Sequence, residues 1–294
     1  MPILVSDITT FFSSSTRAEN DSANKIREKI LELISNDLSK YDEYKEDTEF
    51  GESWKLVGKE WFNIIKINIE FTHIKYVPKG GRKFNYDGIV MYYNDSVLVS
   101  EKKIEFKKGG TTIGDQPQFL SLQAKYKLFN KTYDVFYYEN YLDKYIECDS
   151  LITQPKPSLD EYLKQVTKTS SNHLFFTQLK MRDCHPFFKN EKDLVVNKSI
   201  ADYLEKYGES ININAFIEKV SESQTNKLYL LWDKKFSSDQ FTHDEISQIK
   251  YHGIKNGNII QLISGNTIYD LLLRWRNHKG ILNPAWQISM KRTK

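Results

Sequence analysis

Residues 86–107, YDGIVMYYNDSVLVSEKKIEFK, carry the clearest structural signal in the chain. Two runs of apolar, β-branched and aromatic residues, 88–93 and 97–106, flank Asn94-Asp95, a pair that tolerates turn conformations. The pattern predicts an antiparallel hairpin. A turn near that pair places Asp87 opposite residue 102 or 103. Glu105 is then a few ångströms further along, at about 3.3 Å per residue, an offset that a bulge or a wider loop would close.

Charged side chains near the ends of the two strands predict a chemical site. Because side chains two apart in a strand point to the same face, Glu105 and Lys107 share a face while Ile104 and Phe106 turn to the other, apolar one. Asp87 adds a second carboxylate. Two carboxylates at one sheet edge repel each other unless a cation lies between them, and hard oxygen ligands suit Mg²⁺ or Mn²⁺. A metal beside a lysine is suited to phosphodiester hydrolysis.

These residues resemble a known signature. Tyr86-Asp87, followed by IEFK at 104–107, is similar to the PD-(D/E)XK motif of the restriction-endonuclease-like nucleases, with Tyr86 in place of the proline. The resemblance covers about residues 20–140, in the order helix, strand, Asp strand, ExK strand, helix, strand. It implies an α/β fold with a mixed central β-sheet flanked by helices, and a metal-dependent nuclease activity.

The resemblance also implies residue roles. Asp87 and Glu105 would ligate Mg²⁺, for which Mn²⁺ may substitute in such enzymes, and the carbonyl of Phe106 would complete the metal site. Lys107 would assist the nucleophilic water. Many members of the family add an acid near the opening helix, and the candidates favoured here are Glu49 and Glu52.

Basic residues in two regions are candidates for contacts with nucleic acid. Lys103 and Lys108 lie beside the expected cleavage site, where they would contact phosphates. The C-terminal segment 271–294 holds six basic residues and no acidic one. Within it, the candidates for groove or phosphate contacts are Arg274, Arg276 and Lys279.

The role predicted from the resemblance is a type II restriction endonuclease that cuts double-stranded DNA site-specifically and pairs as a homodimer. Two alternatives remain open. The chain could be a non-catalytic nucleic-acid or protein binding module, in which Glu105 and Lys107 form an ion pair on a solvated face and Asp87 merely starts a strand. It could also be a PD-(D/E)XK nuclease of repair, recombination or RNA cleavage.

Composition restricts the class of protein. The 294 residues carry 42 basic and 39 acidic side chains, a net charge of +3 that is too balanced to indicate a polyanionic partner by itself. The two cysteines, Cys148 and Cys184, form no metal-binding or disulfide pattern, which favours a reducing compartment. Without a leader-like N-terminus or a long apolar run, we expect a cytoplasmic protein with no membrane partner.

The expected organisation is a nuclease core over 1–155 and a C-terminal α+β companion region over 156–294 that serves DNA binding or dimerisation. Segment 155–158, PKPS, is the expected linker. Periodicity predicts an opening helix within 21–38, extended structure over 61–76, a helix over 117–129 and a strand over 133–138. Later strands are expected at 228–232 and 258–263.

Overall fold

The structure is a computed structural model. It describes residues 60–79, 84–115, 118–121, 127–147, 152–166, 168, 171–183, 186–233, 235–274 and 287–293. The predicted opening helix and both cysteines lie outside these residues.

The chain divides into two compact units. The first comprises the described residues of Met1–Gln116 and Glu222–Thr242, and the second those of Pro117–Ser221 and His243–Lys294. Together they give a mixed α/β protein with two sheets. This grouping differs from the expected division at residue 155, because the last two strands of the first unit come from far along the chain.

The first unit is built on a mixed sheet with the strand order β1-β2-β3-β5-β6. All neighbouring pairs are antiparallel except β3 and β5, which are parallel. Residues 60–65, which precede the sheet in the chain, are helical. The strands are β1 (His73–Pro78), β2 (Gly88–Asn94), β3 (Val97–Lys108), β5 (Lys227–Asp233) and β6 (Lys235–Asp239).

One face of this sheet forms an apolar core. Ile104 of β3 is fully buried and belongs to the same cluster as Trp61 and Ile65 of the preceding helical segment. Tyr92 donates its hydroxyl to the backbone carbonyl of Ile65 at 2.5 Å, which joins the helical segment to the sheet. Removal of apolar surface from water stabilises a fold by about 25 cal/mol per Å², so this cluster stabilises the unit.

The second unit contains helices and an antiparallel sheet with the order β4-β10-β9-β8-β7. Its strands are β4 (Gln118–Ser121), β7 (Lys250–Lys255), β8 (Ile259–Ser264), β9 (Thr267–Arg274) and β10 (Gln287–Thr293). Its helices are α1 (Tyr133–Asn140), α2 (Leu142–Glu147), α3 (Leu159–Val166), α4 (Leu174–Asp183), α5 (Pro186–Tyr207) and α7 (His243–Ser247). Helix α6 (Ile213–Gln224) runs from the second unit into the first.

Three local predictions were wrong. The segment 61–76 was expected as extended chain, but only its end lies in a strand, β1, and residues 61–65 are helical. Trp61 and Ile65 are both fully buried at the four-residue spacing of one helix face. The predicted strand at 133–138 is helix α1, and the predicted helix at 117–129 contains β4. Strand β4 forms because β10 supplies its hydrogen-bonding partner, which local periodicity cannot reveal. Among the described residues, no helix is long and apolar enough to cross a membrane.

Candidate functional site

The β2–β3 hairpin sets the position of Asp87. Its turn falls at residues 95–96, because Asn94 pairs with Val97, and a bulge between Tyr92 and Tyr93 shifts the register by one further residue. Gly88 consequently pairs with Ile104. Asp87 therefore lies opposite a later part of β3 than residues 102 and 103. The predicted position was wrong because the turn and the bulge each move the pairing toward Glu105.

Two hydrogen bonds fix Asp87 against β3. Its backbone N–H donates to the carbonyl of Ile104 at 2.8 Å, and its Oδ2 accepts from the backbone N–H of Phe106 at 2.7 Å. The second bond takes the place of a ladder bond beyond the end of β2. The Asp87 carboxylate thus lies just before the start of β2, beside the residue that separates Glu105 from Lys107.

Glu105 and Lys107 form an ion pair on the polar face of β3. Lys107 Nζ lies 2.5 Å from Glu105 Oε1, and the side chains are 26% and 14% exposed, respectively. Ile104 and Phe106 point to the opposite face and pack in the apolar core. The strand therefore presents a carboxylate and an ammonium together beside Asp87, while its other face anchors it.

A second lysine contacts Glu105, and the sequence analysis did not identify it. Lys227 begins β5, which runs parallel to β3 and pairs Lys227 with Lys103. The Lys227 side chain is only 4% exposed, and its Nζ lies 3.3 Å from Glu105 Oε2. It also donates to the backbone carbonyl of Asn85 at 2.5 Å. Residue 227 is remote in sequence from the hairpin, so no local motif signals this contact.

Burial and neighbouring charges act on these groups in opposite directions. Burial lowers the pKa of Lys227, while the negative charge of Glu105 raises it in part. Tyr229, which pairs with Glu105 across β3 and β5, is fully buried and has its pKa raised, first by burial and then by the Glu105 charge. The Tyr229 hydroxyl donates to Gln224 at the end of α6. This side of Glu105 is thus a dry, hydrogen-bonded environment.

The donor atoms fit a small hard cation. The carboxylates of Asp87 and Glu105 are oxygen ligands. The Phe106 carbonyl points to the same side of β3 as the Phe106 N–H, which donates a hydrogen bond to Asp87. Mg²⁺ is commonly held by one or two carboxylates with waters completing its shell. Within the described ranges, no group of three or more His, Cys, Asp or Glu residues is placed to hold a metal. A cation at Glu105 would compete with the ammonium groups of Lys107 and Lys227.

The remaining predicted residues are distributed differently. Lys103 is half-buried, with its ammonium 5.5 Å from the centre of the Tyr86 ring. Lys108 ends β3, and Arg274 is exposed at the end of β9 in the second unit. Four other candidates lie outside the described residues, namely Glu49, Glu52, Arg276 and Lys279.

The chain matches no protein-family model, and no curated protein matches its sequence.

Proposed function

We propose that this protein is a Mg²⁺-dependent nuclease of the PD-(D/E)XK kind that hydrolyses DNA phosphodiester bonds, with Mn²⁺ able to replace Mg²⁺. One observation carries the proposal: Asp87 Oδ2 is fixed 2.7 Å from the backbone nitrogen of Phe106, the residue between the paired Glu105 and Lys107. An aspartate, a glutamate and a lysine are thereby brought together where β2 begins beside β3, a set of groups suited to metal-assisted phosphodiester hydrolysis.

The order of elements supports a restriction-endonuclease-like core. The helical residues 60–65 are followed by β1, then β2, whose start carries Asp87, and then β3, which carries Glu105 and Lys107. Strand β5 comes next once the second unit is set aside, preceded by only the last residues of α6, from Glu222 onward. The order helix, strand, Asp strand, ExK strand is thus present, followed by a strand that is not the segment expected, while most of the preceding helix belongs to the second unit.

The chemistry follows from the charges of these side chains. Water adds to phosphorus, one P–O ester bond breaks, and the leaving oxygen takes up a proton. Asp87, Glu105 and the Phe106 carbonyl would hold the cation, which when bound offsets phosphate charge and lowers the pKa of water. Lys107 orients the attacking water and stabilises the negative charge that develops on the phosphate oxygens.

The proposed substrate is double-stranded DNA, and the proposed role is that of a type II restriction endonuclease acting as a homodimer. The resemblance supports this finer assignment. The Lys103 ammonium lies over the ring of Tyr86, the residue before Asp87, and is therefore near the site. The other proposed DNA contacts are Lys108, Arg274, Arg276 and Lys279. The proposed companion region for DNA binding or dimerisation is residues 156–294 apart from Glu222–Thr242, which belong to the first unit.

One observation favours a second candidate, a non-catalytic binding module. Both carboxylate oxygens of Glu105 contact an ammonium group, one from Lys107 and one from Lys227. A partly buried carboxylate with both oxygens paired can be a purely structural element. In that case the basic residues would bind nucleic acid or a protein without cleavage.

Incubation of the purified protein with supercoiled plasmid DNA and Mg²⁺ separates these candidates. A nuclease linearises or fragments the plasmid, and excess chelator abolishes the reaction. Discrete fragments indicate a restriction enzyme, whereas a smear indicates a non-specific or repair nuclease, and parallel incubation with RNA tests that substrate. Retarded but intact plasmid at every Mg²⁺ and Mn²⁺ concentration would support the binding module and contradict the proposal.

A further inference from the structure

Lys227 lies where three segments of the first unit meet. Its ammonium contacts the backbone carbonyl of Asn85 at 2.5 Å and Glu105 Oε2 at 3.3 Å. Asn85 is two residues before Asp87. The Asn85 side chain in turn donates to the carbonyl of Ser223 near the end of α6 at 2.7 Å. The segment that carries Asp87 is therefore attached to the α6–β5 corner at two points.

We propose that Lys227 is a positioning residue of the candidate site, which sets the spacing between the Asp87 and Glu105 carboxylates by bridging Asn85 and Glu105. The catalytic consequence of this inference rests on the proposed function, whereas the structural role of Lys227 does not. Lys227 deepens the assignment by adding a residue from β5 to a site that otherwise consists of the β2–β3 hairpin.

The geometry favours positioning over direct action on substrate. At 4% exposure, the Lys227 side chain is shielded from solvent, whereas Lys107 is 26% exposed and can approach a phosphate. A buried ammonium must keep its hydrogen-bond acceptors, since leaving it unpaired is unfavourable. One acceptor lies in the segment before β2 and the other on β3, so the demand for both contacts holds that segment at a fixed separation from β3.

The test compares four proteins: wild type, Lys227→Met, Lys227→Arg and the control Lys75→Met. Methionine is one atom shorter than lysine and lacks the ammonium group, so it fills most of the same space but cannot donate, while arginine retains the charge and the donors. Lys75 lies in β1 of the same unit and is exposed, so its replacement controls for loss of a strand lysine. Hydrogen exchange is measured on peptides covering 84–88 and 104–108, beside the Mg²⁺ concentration giving half-maximal plasmid cleavage.

For Lys227→Met we expect the amides of 84–88 and 104–108 to exchange at least about tenfold faster, with other peptides unchanged. The half-maximal Mg²⁺ concentration should rise roughly 10- to 100-fold, the usual effect of losing a group that orients metal ligands. Lys227→Arg should recover part of both effects, and Lys75→Met should match wild type.

Unchanged exchange in a folded Lys227→Met protein would overturn the inference. Loss of the folded state in both Lys227 variants would overturn it too, because the lysine would then maintain the whole unit rather than the site. If wild type cleaves no nucleic acid, the proposed function fails, while the exchange data still decide whether Lys227 positions the Asp87 segment.

Discussion

The backbone N–H of Phe106 donates a hydrogen bond to Oδ2 of Asp87, at 2.7 Å. This side-chain bond continues the contact between β2 and β3 beyond the last paired residues, Gly88 and Ile104. It therefore does two things at once. It completes the hydrogen bonding of β3, and it holds the carboxylate of Asp87 next to Glu105.

Replacing Asp87 with asparagine should separate these two roles. The amide oxygen of Asn can still accept from Phe106, so the thermal midpoint should stay within a few degrees of wild type. The negative charge is lost, and cleavage should fall by about 100-fold or more, since loss of several kcal/mol of charge stabilisation costs a factor of ten per 1.36 kcal/mol. Cleavage rate and thermal unfolding are the two measurements.

Asp95→Asn is the matched control for this experiment. Asp95 lies in the hairpin turn at a φ of 53°, a conformation that asparagine also adopts readily. The same chemical change there should leave cleavage unaltered. An equal loss of cleavage in both variants would show that the Asp87 effect is not specific to the site.

Lys107→Met tests whether the ion pair with Glu105 is functional or structural. A partly exposed pair contributes about 0–1 kcal/mol, so the free energy of unfolding should change little. Cleavage should nevertheless fall roughly 100-fold if Lys107 acts on water and phosphate. Chemical denaturation and plasmid cleavage provide the comparison. A large loss of stability with unchanged cleavage would instead indicate a structural ion pair.

Tyr92→Phe should destabilise the first unit. The Tyr92 ring is fully buried, and its hydroxyl donates to the Ile65 carbonyl, which phenylalanine would leave without that donor. The expected cost is about 1–3 kcal/mol in the free energy of unfolding. Chemical denaturation measures it. The control is Tyr93→Phe, because the Tyr93 hydroxyl makes only a weak contact with the Met91 sulfur, at 3.7 Å. This substitution should change the free energy of unfolding by less than about 0.5 kcal/mol.

A fragment of residues 1–155 should fail to fold cooperatively. It lacks β5 and β6, so the Ile104 and Phe106 region of β3 loses its parallel neighbour and the core loses Leu230 and Trp232. Circular dichroism with heating is expected to show no sigmoidal transition, and cleavage should be absent. A cooperatively folding, active fragment would mean that the hairpin site does not depend on β5.

Local pattern was sufficient for the hairpin that carries the candidate site. Strand residues alternate between two environments, and the run from Ile104 to Lys107 shows this alternation plainly in the sequence. The face of each residue on β3 therefore follows from the sequence alone. The position of Asp87 does not, because a bulge at Tyr92 depends on how both strands pack against the core rather than on local composition.

Contacts between residues far apart in the chain explain the other features that the sequence does not predict. Lys227 contacts Glu105 only because β5 joins β3 after an excursion of the chain through the second unit. Periodicity predicts a strand at 133–138, yet the segment is helix α1, with Tyr133, Phe136 and Tyr137 buried at helical spacing. Tertiary packing determines the secondary structure of such segments, and the periodicity of one sequence does not reveal that packing.

Cleavage of supercoiled plasmid DNA in Mg²⁺ by Glu105→Gln, beside wild type, shows whether the charge of the Glu105 carboxylate is needed for the reaction. Glutamine keeps the shape of the side chain but removes the charge that a cation would require. The account predicts that wild type cuts the plasmid, that chelator stops it, and that a folded Glu105→Gln protein cuts at least about 100-fold more slowly. Cleavage by that variant at the wild-type rate would contradict the account.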